Sequence, residues 1–420
     1  MDRLTNTIRP YAWGSRTALP ALLGTPPTGE PQAELWMGAH PGAPSVIDRG
    51  QGPQPLDAVI DADPEGELGA AAVGRFGPSL PFLLKILAAG EPLSLQVHPD
   101  LDQARTGFAE EESRGVPIDA AHRNYRDANH KPELICALDD FVGLCGFRRP
   151  ADTVLLLESL AVPALTPLID TLRTKPEGEA LREVLTAVLT AAPASVAETV
   201  PATAAALGRA AVAAKDDPAA YSGLPAGLIS SLSSYAGLAR AFPDDPGVIA
   251  ALLLNHVRLQ PGEALYLGAG VPHAYLSGLG VEILANSDNV VRSGLTTKHV
   301  DVPELLRIVD FRSADPAILR PVPVPGSDGE ELYPTPIDEF RLSRYTLGGP
   351  ATGARRIPAT VPQILLCTEG SVVLTDAGGG SLTLARGESA FVSAADADLL
   401  VSSAAGDGSA ATLFRATVSL

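Results

Sequence analysis

The chain has 420 residues, enough for two or three domains that each bury a core, and 45% of them are hydrophobic, as in ordinary globular proteins. Its formal charge of −18 argues against nucleic acid and against an anionic membrane as partners, because either would require a basic surface. Three cysteines without CxxC spacing favour a reducing compartment over a disulfide framework.

Residues 1–148 are rich in Pro and Gly and contain short strand-like runs, which predicts a β-rich region with some helix. The clearest runs are PFLLKIL (81–87), PLSLQV (92–97) and ELICAL (133–138). The start of the chain, MDRLTNTIRPYAWGS, lacks the apolar stretch of a signal peptide, so we expect a cytoplasmic protein.

Residues 91–100, EPLSLQVHPD, predict a strand with one apolar face and one polar face. The apolar face holds Leu93, Leu95 and Val97, and the polar face holds Ser94, Gln96 and His98. NHKPEL (129–134) adds Glu133, and GAGVPHAYLSG (268–278) adds His273. An amide, a carboxylate and two imidazoles are metal-ligand chemistry, although each residue taken singly is more often structural. A barrel-like scaffold would bring them together.

Residues 150–255 are Ala- and Leu-rich with apolar residues at helical spacing, and the runs are broken at prolines, which predicts a helical insertion. The longest charge-free apolar stretch there, 184–197, is shorter than the ~20 residues that span a bilayer, so no membrane insertion is expected. Strand signals return at 257–278, so the β-rich region is interrupted in sequence by the helices.

The last hundred residues contain a weak internal echo. Residues 262–278 and 387–403 both give Gly-Glu, an apolar run, a turn and an alternating strand, which predicts a second, smaller jelly roll. Asp398 stands where His273 stands, and the segment contains no histidine, so we expect no metal there. TDAGGGS (375–381) predicts a tight exposed hairpin turn.

Several long motifs, in the right order, resemble type I mannose-6-phosphate isomerases, which are zinc-dependent enzymes of the cupin fold. The motifs are YAWGS (11–15), ELWMGAHPGAPS (34–45), PFLLKIL (81–87), LSLQVHPD (93–100), NHKPEL (129–134), GLCGFR (143–148), VPHAYLSG (271–278) and, above all, SDNVVRSGLTTKHVD (287–301). The resemblance implies that one Zn2+ per chain is held by Gln96, His98, Glu133 and His273. It also implies that Arg292 matches the active-site arginine of the family.

Pattern and resemblance together predict a mainly β fold with a helical insertion. We expect a discontinuous metal-binding cupin, or jelly-roll, domain at 1–149 and 256–315, and an α-helical domain at 150–255. A C-terminal jelly-roll-like domain without metal follows at 316–420. A monomer is expected.

Interconversion of an aldose phosphate and a ketose phosphate requires a proton carrier and a stabiliser of the enediolate oxygen. Zinc bound by three neutral ligands and one carboxylate keeps about one positive charge for that oxygen. Arg292 stays protonated at neutral pH, so it is expected to stabilise negative charge. The candidate carboxylates for proton transfer are Glu282 and Asp288, and Asp288 is also a candidate for binding the substrate. The structural alternative for Glu282 is a strand carboxylate bonded to backbone or to Lys298.

Other polar groups are candidates for binding the sugar phosphate, which an acidic protein must attract with a local cluster of cations. Arg292 and Lys298 supply such cations. Lys131 and Tyr275 could transfer protons to oxygens or position hydroxyls, and Ser94 shares the face of Gln96 and His98.

Two other functions stay open at this point. Two histidines and a carboxylate also suit a non-haem iron oxygenase, although Gln96 and the basic loop count against it. The second is a sugar-phosphate-binding bicupin that has lost turnover, against which the intact ligand and arginine positions count.

Overall fold

The computed structural model describes residues 1–217, 221, 223–348, 353–404 and 410–420. It contains strands β1 (Asp2–Arg3), β2 (Thr7–Arg9), β3 (Glu34–Met37), β4 (Val46–Ile47), β5 (Gln54–Pro55), β6 (Phe82–Ala89), β7 (Leu95–Val97), β8 (Glu133–Ala137), β9 (Phe141–Phe147), β10 (Leu254–Leu259), β11 (Ala264–Leu267), β12 (His273–Ala285), β13 (Val291–Gly294), β14 (Ile318–Leu319), β15 (Val322–Pro323), β16 (Glu330–Tyr333), β17 (Arg341–Leu347), β18 (Arg355–Ile357), β19 (Gln363–Glu369), β20 (Ser371–Thr375), β21 (Ser381–Ala385), β22 (Ser389–Val392), β23 (Leu399–Ser403) and β24 (Ala411–Thr417). The α-helices are α1 (Ala18–Leu23), α2 (Leu56–Ala62), α3 (Pro64–Leu68), α4 (Ala70–Phe76), α5 (Leu101–Ser113), α6 (Pro150–Ser159), α7 (Thr166–Thr174), α8 (Glu177–Leu189), α9 (Pro193–Asp216), α10 (Ala226–Ala241), α11 (Gly247–Ala251) and α12 (Val302–Ile308).

The first β-rich unit is built around the long strand β12, which serves two layers. Its second half lies between β6 and β8 in a row ordered β14-β11-β8-β12-β6-β3-β2, and its first half pairs with β7 and β9. The strand changes layer at Gly278, where φ is +123° and a Cβ would stand 2.8 Å from the Cα of Phe141. Only glycine fits this corner without displacing backbone.

Strand β6 shows how the sequence separates two cores. Leu84, Ile86 and Ala88 face a cluster shared with the C-terminal sheet, whereas Leu87 and Ala89 point into the first unit. The strand is buried on both faces, so its sequence is a continuous apolar run. Lys85 is the one polar residue in this run, and it lies on the inner face.

The helices α6 to α11 pack against the outside of β7, β9 and the first half of β12. Leu95 and Val97 belong to the same apolar cluster as the helical residues, which confirms the predicted apolar face at these two residues. The assignment of Leu93 to that face is wrong, because Leu93 lies before β7 and packs against the inner cluster of the first unit. Within α8, Leu181, Val184, Leu185 and Val188 are buried at helical spacing. Within the described residues no single helix is long and apolar enough to cross a membrane, although α8 and α9, bent by 106°, pass that test as a pair.

The C-terminal sheets are ordered β1-β22-β19-β24-β17-β16-β15 and β18-β23-β20-β21, with an apolar core between them. The mainly β, cupin-like fold with helices is confirmed. Strands β20 and β21 pair Thr375 with Ser381, so the predicted hairpin turn is confirmed. All three cysteines are free and buried.

The division into three domains stays a prediction. Two short strands cross the borders drawn from the sequence: β1 joins the C-terminal sheet through β22, and β14, beyond residue 315, joins the first unit through β11.

Candidate metal centre and substrate site

Three neighbouring antiparallel strands place site residues side by side. Gln96 on β7 lies directly opposite His273 on β12, and it lies opposite Arg292 on β13 on its other side. Directly opposed residues project from the same face of a sheet, so the three side chains share one face. The Gln96 amide forms no hydrogen bond within the described part of the chain and is free to act as a ligand.

His98 and Glu133 complete this group. His98 follows the end of β7, Glu133 begins β8, and His98, Glu133 and His273 are all buried. His98 Nε2 lies 3.4 Å from Glu133 Oε1, and His273 Nε2 lies 3.7 Å from Glu133 Oε2. His98 Nε2, His273 Nε2 and Glu133 Oε2 have no hydrogen-bond partner among the described groups.

These distances fit a shared metal ion better than direct hydrogen bonds. Two ligand atoms of one tetrahedral zinc ion lie roughly 3.3–3.6 Å apart. Buried polar atoms are almost always paired, so three orphaned atoms converging within 4.8 Å mark a position for a ligand. Two imidazoles, a carboxylate and an adjacent amide oxygen suit Zn2+.

Each imidazole is held in the tautomer that a metal needs. His98 Nδ1–H donates to the carbonyl of Asn289 at 2.7 Å, and His273 Nδ1–H donates to that of Val271 at 2.9 Å. The Nε2 lone pairs therefore point to the common centre. Burial lowers the pKa of His98 and lowers that of His273 to about 4, so both rings are neutral at pH 7.

Glu133 supplies the only negative charge of the four predicted ligands. Burial by itself acts to raise its pKa, but Lys131, whose Nζ lies 3.0 Å from Oε1, and the neighbouring His98 hold the pKa well below its ordinary value. Lys131 thus lies beside the candidate metal centre, and its catalytic role stays a prediction.

A second polar group crosses the inner face next to the metal centre. Lys85 on β6 lies opposite Glu282 on β12, and its Nζ is 3.2 Å from that carboxylate and 3.4 Å from Glu34. The alternative pairing of Glu282 with Lys298 is wrong, because Lys85 occupies that place. Burial, opposed by Lys85 and reinforced by Glu133, raises the pKa of Glu282 to about 7.

Tyr275 lies two residues after His273 and projects into the same interior. Its hydroxyl has no hydrogen-bond partner among the described groups. Burial and the nearby Glu282 raise its pKa well above the ordinary value, so the phenol stays protonated.

The basic side of the site contains three cationic side chains: Arg126, Arg292 and Lys298. Arg292 is half-buried, and Lys298 follows in the exposed segment after β13. Burial and Arg126 lower the pKa of Arg292, and burial, Arg292 and Arg126 lower that of Lys298. Within the described residues, none of the three forms an ion pair shorter than 4.0 Å. A cluster of unpaired cations in an acidic protein is suited to bind an anion.

Two further predicted residues lie nearby. Ser94 is half-buried just before β7. Asp288 Oδ1 lies 3.4 Å from His40 Nε2, and this contact lowers the pKa of Asp288. Asp288 is therefore ionised and half exposed, whereas Glu282 is buried and titrates near neutrality.

Sequence reasoning missed Lys85, Glu34 and Arg126. A lone lysine inside the apolar run PFLLKIL was a usable signal for Lys85, because an unpaired ammonium is rarely buried. No comparable signal marks Arg126, which lies in a long irregular segment between α5 and β8.

The chain is similar in sequence to known mannose-6-phosphate isomerases. Residues 1–150 match the family model for phosphomannose isomerase type I, catalytic domain. The mannose-6-phosphate isomerase of Escherichia coli (strain K12) is 40% identical over 404 residues, which cover 96% of this chain and 97% of the relative. Mannose-6-phosphate isomerase 2 of Arabidopsis thaliana is 32% identical over 443 residues, which cover 100% of this chain and 94% of the relative.

The chain is also similar to solved structures over its whole length. A crystal structure of mannose 6-phosphate isomerase from Salmonella typhimurium, described as bound to substrate (f6p) and zinc, is 37% identical, covers 100% of both chains and has a TM-score of 0.86.

Proposed function

The chain belongs to the type I mannose-6-phosphate isomerase family, and from this premise we propose that it interconverts mannose 6-phosphate and fructose 6-phosphate with bound zinc, by proton transfer through an enediolate. The observation that carries the proposal is the set of three buried, orphaned ligand atoms beside the free amide of Gln96. A relative of the same fold is described with both zinc and substrate.

Four side chains would hold the metal: Gln96, His98, Glu133 and His273. When bound, Zn2+ supplies a Lewis acid that stabilises negative charge on a sugar oxygen. The two neutral imidazoles and the single carboxylate leave part of the charge of the ion uncompensated. Lys131 keeps Glu133 ionised and therefore ready to bind a cation.

Glu282 is the best-supported proton carrier. A general base works best with a pKa near the working pH, and burial raises the pKa of Glu282 to about 7 in the site without a bound cation. Lys85 holds its carboxylate at 3.2 Å from the ammonium, and Glu34 fixes Lys85 from the other side. Asp288 is the weaker candidate, because its pKa is lowered and its side chain is half exposed.

The phosphate is proposed to bind to the cations Arg126, Arg292 and Lys298, with Ser94 as a neutral hydrogen-bond donor. Arg292 is also next to Gln96 across the strand pair, so its guanidinium can stabilise the developing oxyanion. Lys131 and the protonated Tyr275 are suited to bind or orient sugar hydroxyls on the inner face.

A coupled assay tests the proposal on purified protein before and after chelation. We expect conversion of mannose 6-phosphate to fructose 6-phosphate to disappear with chelator and to return with zinc. Oxygen uptake that depends on added iron would instead support an oxygenase. Tight binding of sugar phosphate without isomerisation by the zinc-loaded protein would support a binding protein.

The monomeric state and the cytoplasmic location remain predictions from the sequence. Light scattering coupled to size-exclusion chromatography measures the first directly.

A further inference from the structure

Asn289 connects two irregular segments that both carry residues of the site. It is fully buried in the segment between β12 and β13, three residues before Arg292. Its side-chain Oδ1 accepts the backbone N–H of Arg126 at 2.7 Å and that of Asp127 at 3.3 Å. Its Nδ2 donates to the carbonyls of Asp127 and Asn129, both at 2.8 Å.

The orientation of this amide is determined by its partners. Backbone N–H groups can only donate and carbonyls can only accept, so Oδ1 must face Arg126 and Nδ2 must face Asp127 and Asn129. Asparagine is the side chain of this length that supplies both functions. An aspartate would place an oxygen against two carbonyls and close to the Asp127 carboxylate, 3.2 Å from Nδ2.

The same hydrogen-bond network also holds the neighbours of Asn289 in the segment between β12 and β13. Ser287 Oγ donates to Asp127 Oδ1 at 2.8 Å, and the Asp288 N–H donates to Asp127 Oδ2 at 2.8 Å. Asn289 also presents its backbone carbonyl to His98 Nδ1. The two segments are thereby fixed to each other and to one metal ligand.

Arg126 gains its place from this contact. Its side chain is exposed and forms no ion pair within 4.0 Å in the described part of the chain, so nothing but its backbone holds it near Arg292 and Lys298. Its charge reaches both of them, since it contributes to lowering their pKa values.

We propose that Asn289 is a positioning residue that holds Arg126 against the phosphate of the substrate, so that Arg126 completes the cationic group of Arg292 and Lys298. This inference rests on the proposed function. It concerns substrate affinity rather than the proton transfer or metal binding themselves.

A double-variant cycle on KM for mannose 6-phosphate tests it. Loss of a charge-assisted contact is expected to raise KM roughly ten-fold or more in Arg126→Ala. Asn289→Ala should raise KM by a similar factor and change kcat less. When Arg126 is already alanine, adding Asn289→Ala should raise KM further by less than roughly two-fold, because the two residues act through the same contact. Zinc content is measured in every variant and should not change.

A second readout does not depend on turnover. Calorimetric binding of inorganic phosphate to chelator-treated protein should weaken in Arg126→Ala and in Asn289→Ala by similar factors. Asn6→Ala is the matched control, because it also removes hydrogen bonds of a partly buried asparagine, to Ser45 and Ser389, and in the described part of the chain neither partner is hydrogen-bonded to the segments that carry the three cations. It should leave KM and phosphate binding unchanged.

The outcomes separate this inference from the proposed function. Wild type without isomerase activity defeats the proposed function, whereas phosphate binding still tests Asn289. Equal effects of Asn289→Ala on KM in both backgrounds, or an unchanged KM in Arg126→Ala, would overturn the positioning role. If Asn289→Ala does not fold, Asn289→Ser takes its place, since a serine is uncharged and shorter and also removes the amide contacts to Arg126; an unchanged KM and unchanged phosphate binding in this variant would overturn the positioning role.

Discussion

The first β-rich unit and the C-terminal unit repeat one strand order, yet their equivalent interiors contain different chemistry. The order β14-β11-β8-β12-β6-β3-β2 corresponds, strand by strand, to β1-β22-β19-β24-β17-β16-β15. The smaller layers correspond as well, with β10, β9, β12 and β7 matching β21, β20, β23 and β18. The weak echo in the sequence is therefore a structural repeat.

The Gly-Glu turns give the register of this repeat. Gly262 and Gly387 have φ of +85° and +84°, and each N–H donates to the neighbouring strand, at 2.8 and 2.7 Å. Glu263 and Glu388 each accept, on a side-chain oxygen, the N–H of the residue three positions earlier, at 3.0 and 2.8 Å. The acceptors of the two glycine N–H groups are Ala137 and Cys367, which fixes β8 against β19.

With β8 aligned to β19, the strand pairings identify which polar residues occupy equivalent positions in the two interiors. The equivalent pairs are Glu133 and Gln363, Glu282 and Arg415, Lys85 and Ser343, and Glu34 and Glu330. All eight residues are buried. Both units therefore place buried polar groups at the same four positions.

The difference lies in how these groups are satisfied. Arg415 donates to Gln363 Oε1 at 2.6 Å and to Glu330 at 3.0 Å, and Ser343 Oγ donates to Glu330 at 2.6 Å, so the C-terminal group is closed on itself. In the first unit Glu133 Oε2 is orphaned. Because orphaned buried atoms cost stability, their presence at only one of two equivalent positions indicates which unit holds a ligand.

Alanine at the two equivalent positions should give opposite results. Glu133→Ala removes the one charged ligand, so zinc affinity should fall at least about 100-fold, and isomerase activity should fall with it. Gln363→Ala leaves Arg415 Nε unpaired, so the free energy of unfolding should fall by about 1–3 kcal/mol with zinc affinity unchanged. Metal titration and denaturant unfolding check both; zinc loss in Gln363→Ala would contradict the assignment.

Arg415 and Glu330 test whether the closed group is structural. Arg415→Met removes the nearer of the two cations of the buried Glu330 carboxylate and leaves only Arg341, 3.8 Å away, so we expect a loss of up to about 3–5 kcal/mol of stability. Replacing both, as Arg415→Met with Glu330→Leu, should recover part of that loss. Unfolding by denaturant measures this, and kcat/KM per folded molecule should equal that of wild type. A fall in kcat/KM at full folding would assign the C-terminal group a part in turnover.

We expect Lys85 to determine the pH at which kcat/KM rises on the acid side of its pH profile, which is called the acid limb below. If Glu282 must be deprotonated to accept a proton, kcat/KM rises as pH rises through its pKa, which is about 7 in the metal-free site and lower with a cation bound. Lys85 lowers that pKa, so Lys85→Gln should move the limb to higher pH by about one unit. Lys298→Gln should raise KM and leave the limb in place. A limb that Lys85→Gln does not move would exclude Glu282 as its origin.

The sequence was most informative where side-chain direction follows from strand alternation. Ser94, Gln96 and His98 could be assigned to one face because period 2 fixes direction locally. The structure confirms the opposite apolar face at Leu95 and Val97, whereas Leu93 lies outside the strand, where the alternation does not hold, and packs against the inner cluster. The contact of Lys85 with Glu34 and Glu282 could not be derived, because it depends on the pairing of three strands far apart in sequence. Arg126 lies in an irregular segment, where no period predicts direction.

The domain borders and the proton carrier show the same limit. β1 and β14 pair across the borders because a sheet edge accepts any free strand within reach, which composition does not reveal. Both Glu282 and Asp288 are carboxylates that can carry a proton, and the sequence favoured Glu282 as catalytic and Asp288 as substrate-binding without a physical measure of either. Burial raises the pKa of Glu282, and His40 lowers that of Asp288, so only the fold separates them.

The smallest expected effect concerns the Gly-Glu turns that align the two units. An alanine at Gly262 or Gly387 must adopt a left-handed backbone, which costs about 1–2 kcal/mol. The new Cβ meets the flexible end of Arg344, Nη1, at 2.9 Å in Gly262→Ala and Leu23 Cδ2 at 2.4 Å in Gly387→Ala, so Gly387→Ala should lose slightly more stability. Gly208→Ala is the control, since Gly208 lies inside α9 with nothing within 4 Å of the new Cβ, and it should stabilise by roughly 0.5–1 kcal/mol.

Denaturant unfolding of the three variants, with Gly262→Asn and Gly387→Asn beside them, completes this comparison. Asparagine tolerates the left-handed region better than alanine, so each Asn variant should lose less stability than its Ala counterpart. That order in both turns means that backbone conformation, and not side-chain contact, maintains the repeated register. If Gly262→Ala were as favourable as Gly208→Ala, the turn would not constrain the strand pairs, and the register shared by Glu133 and Gln363 would need another cause.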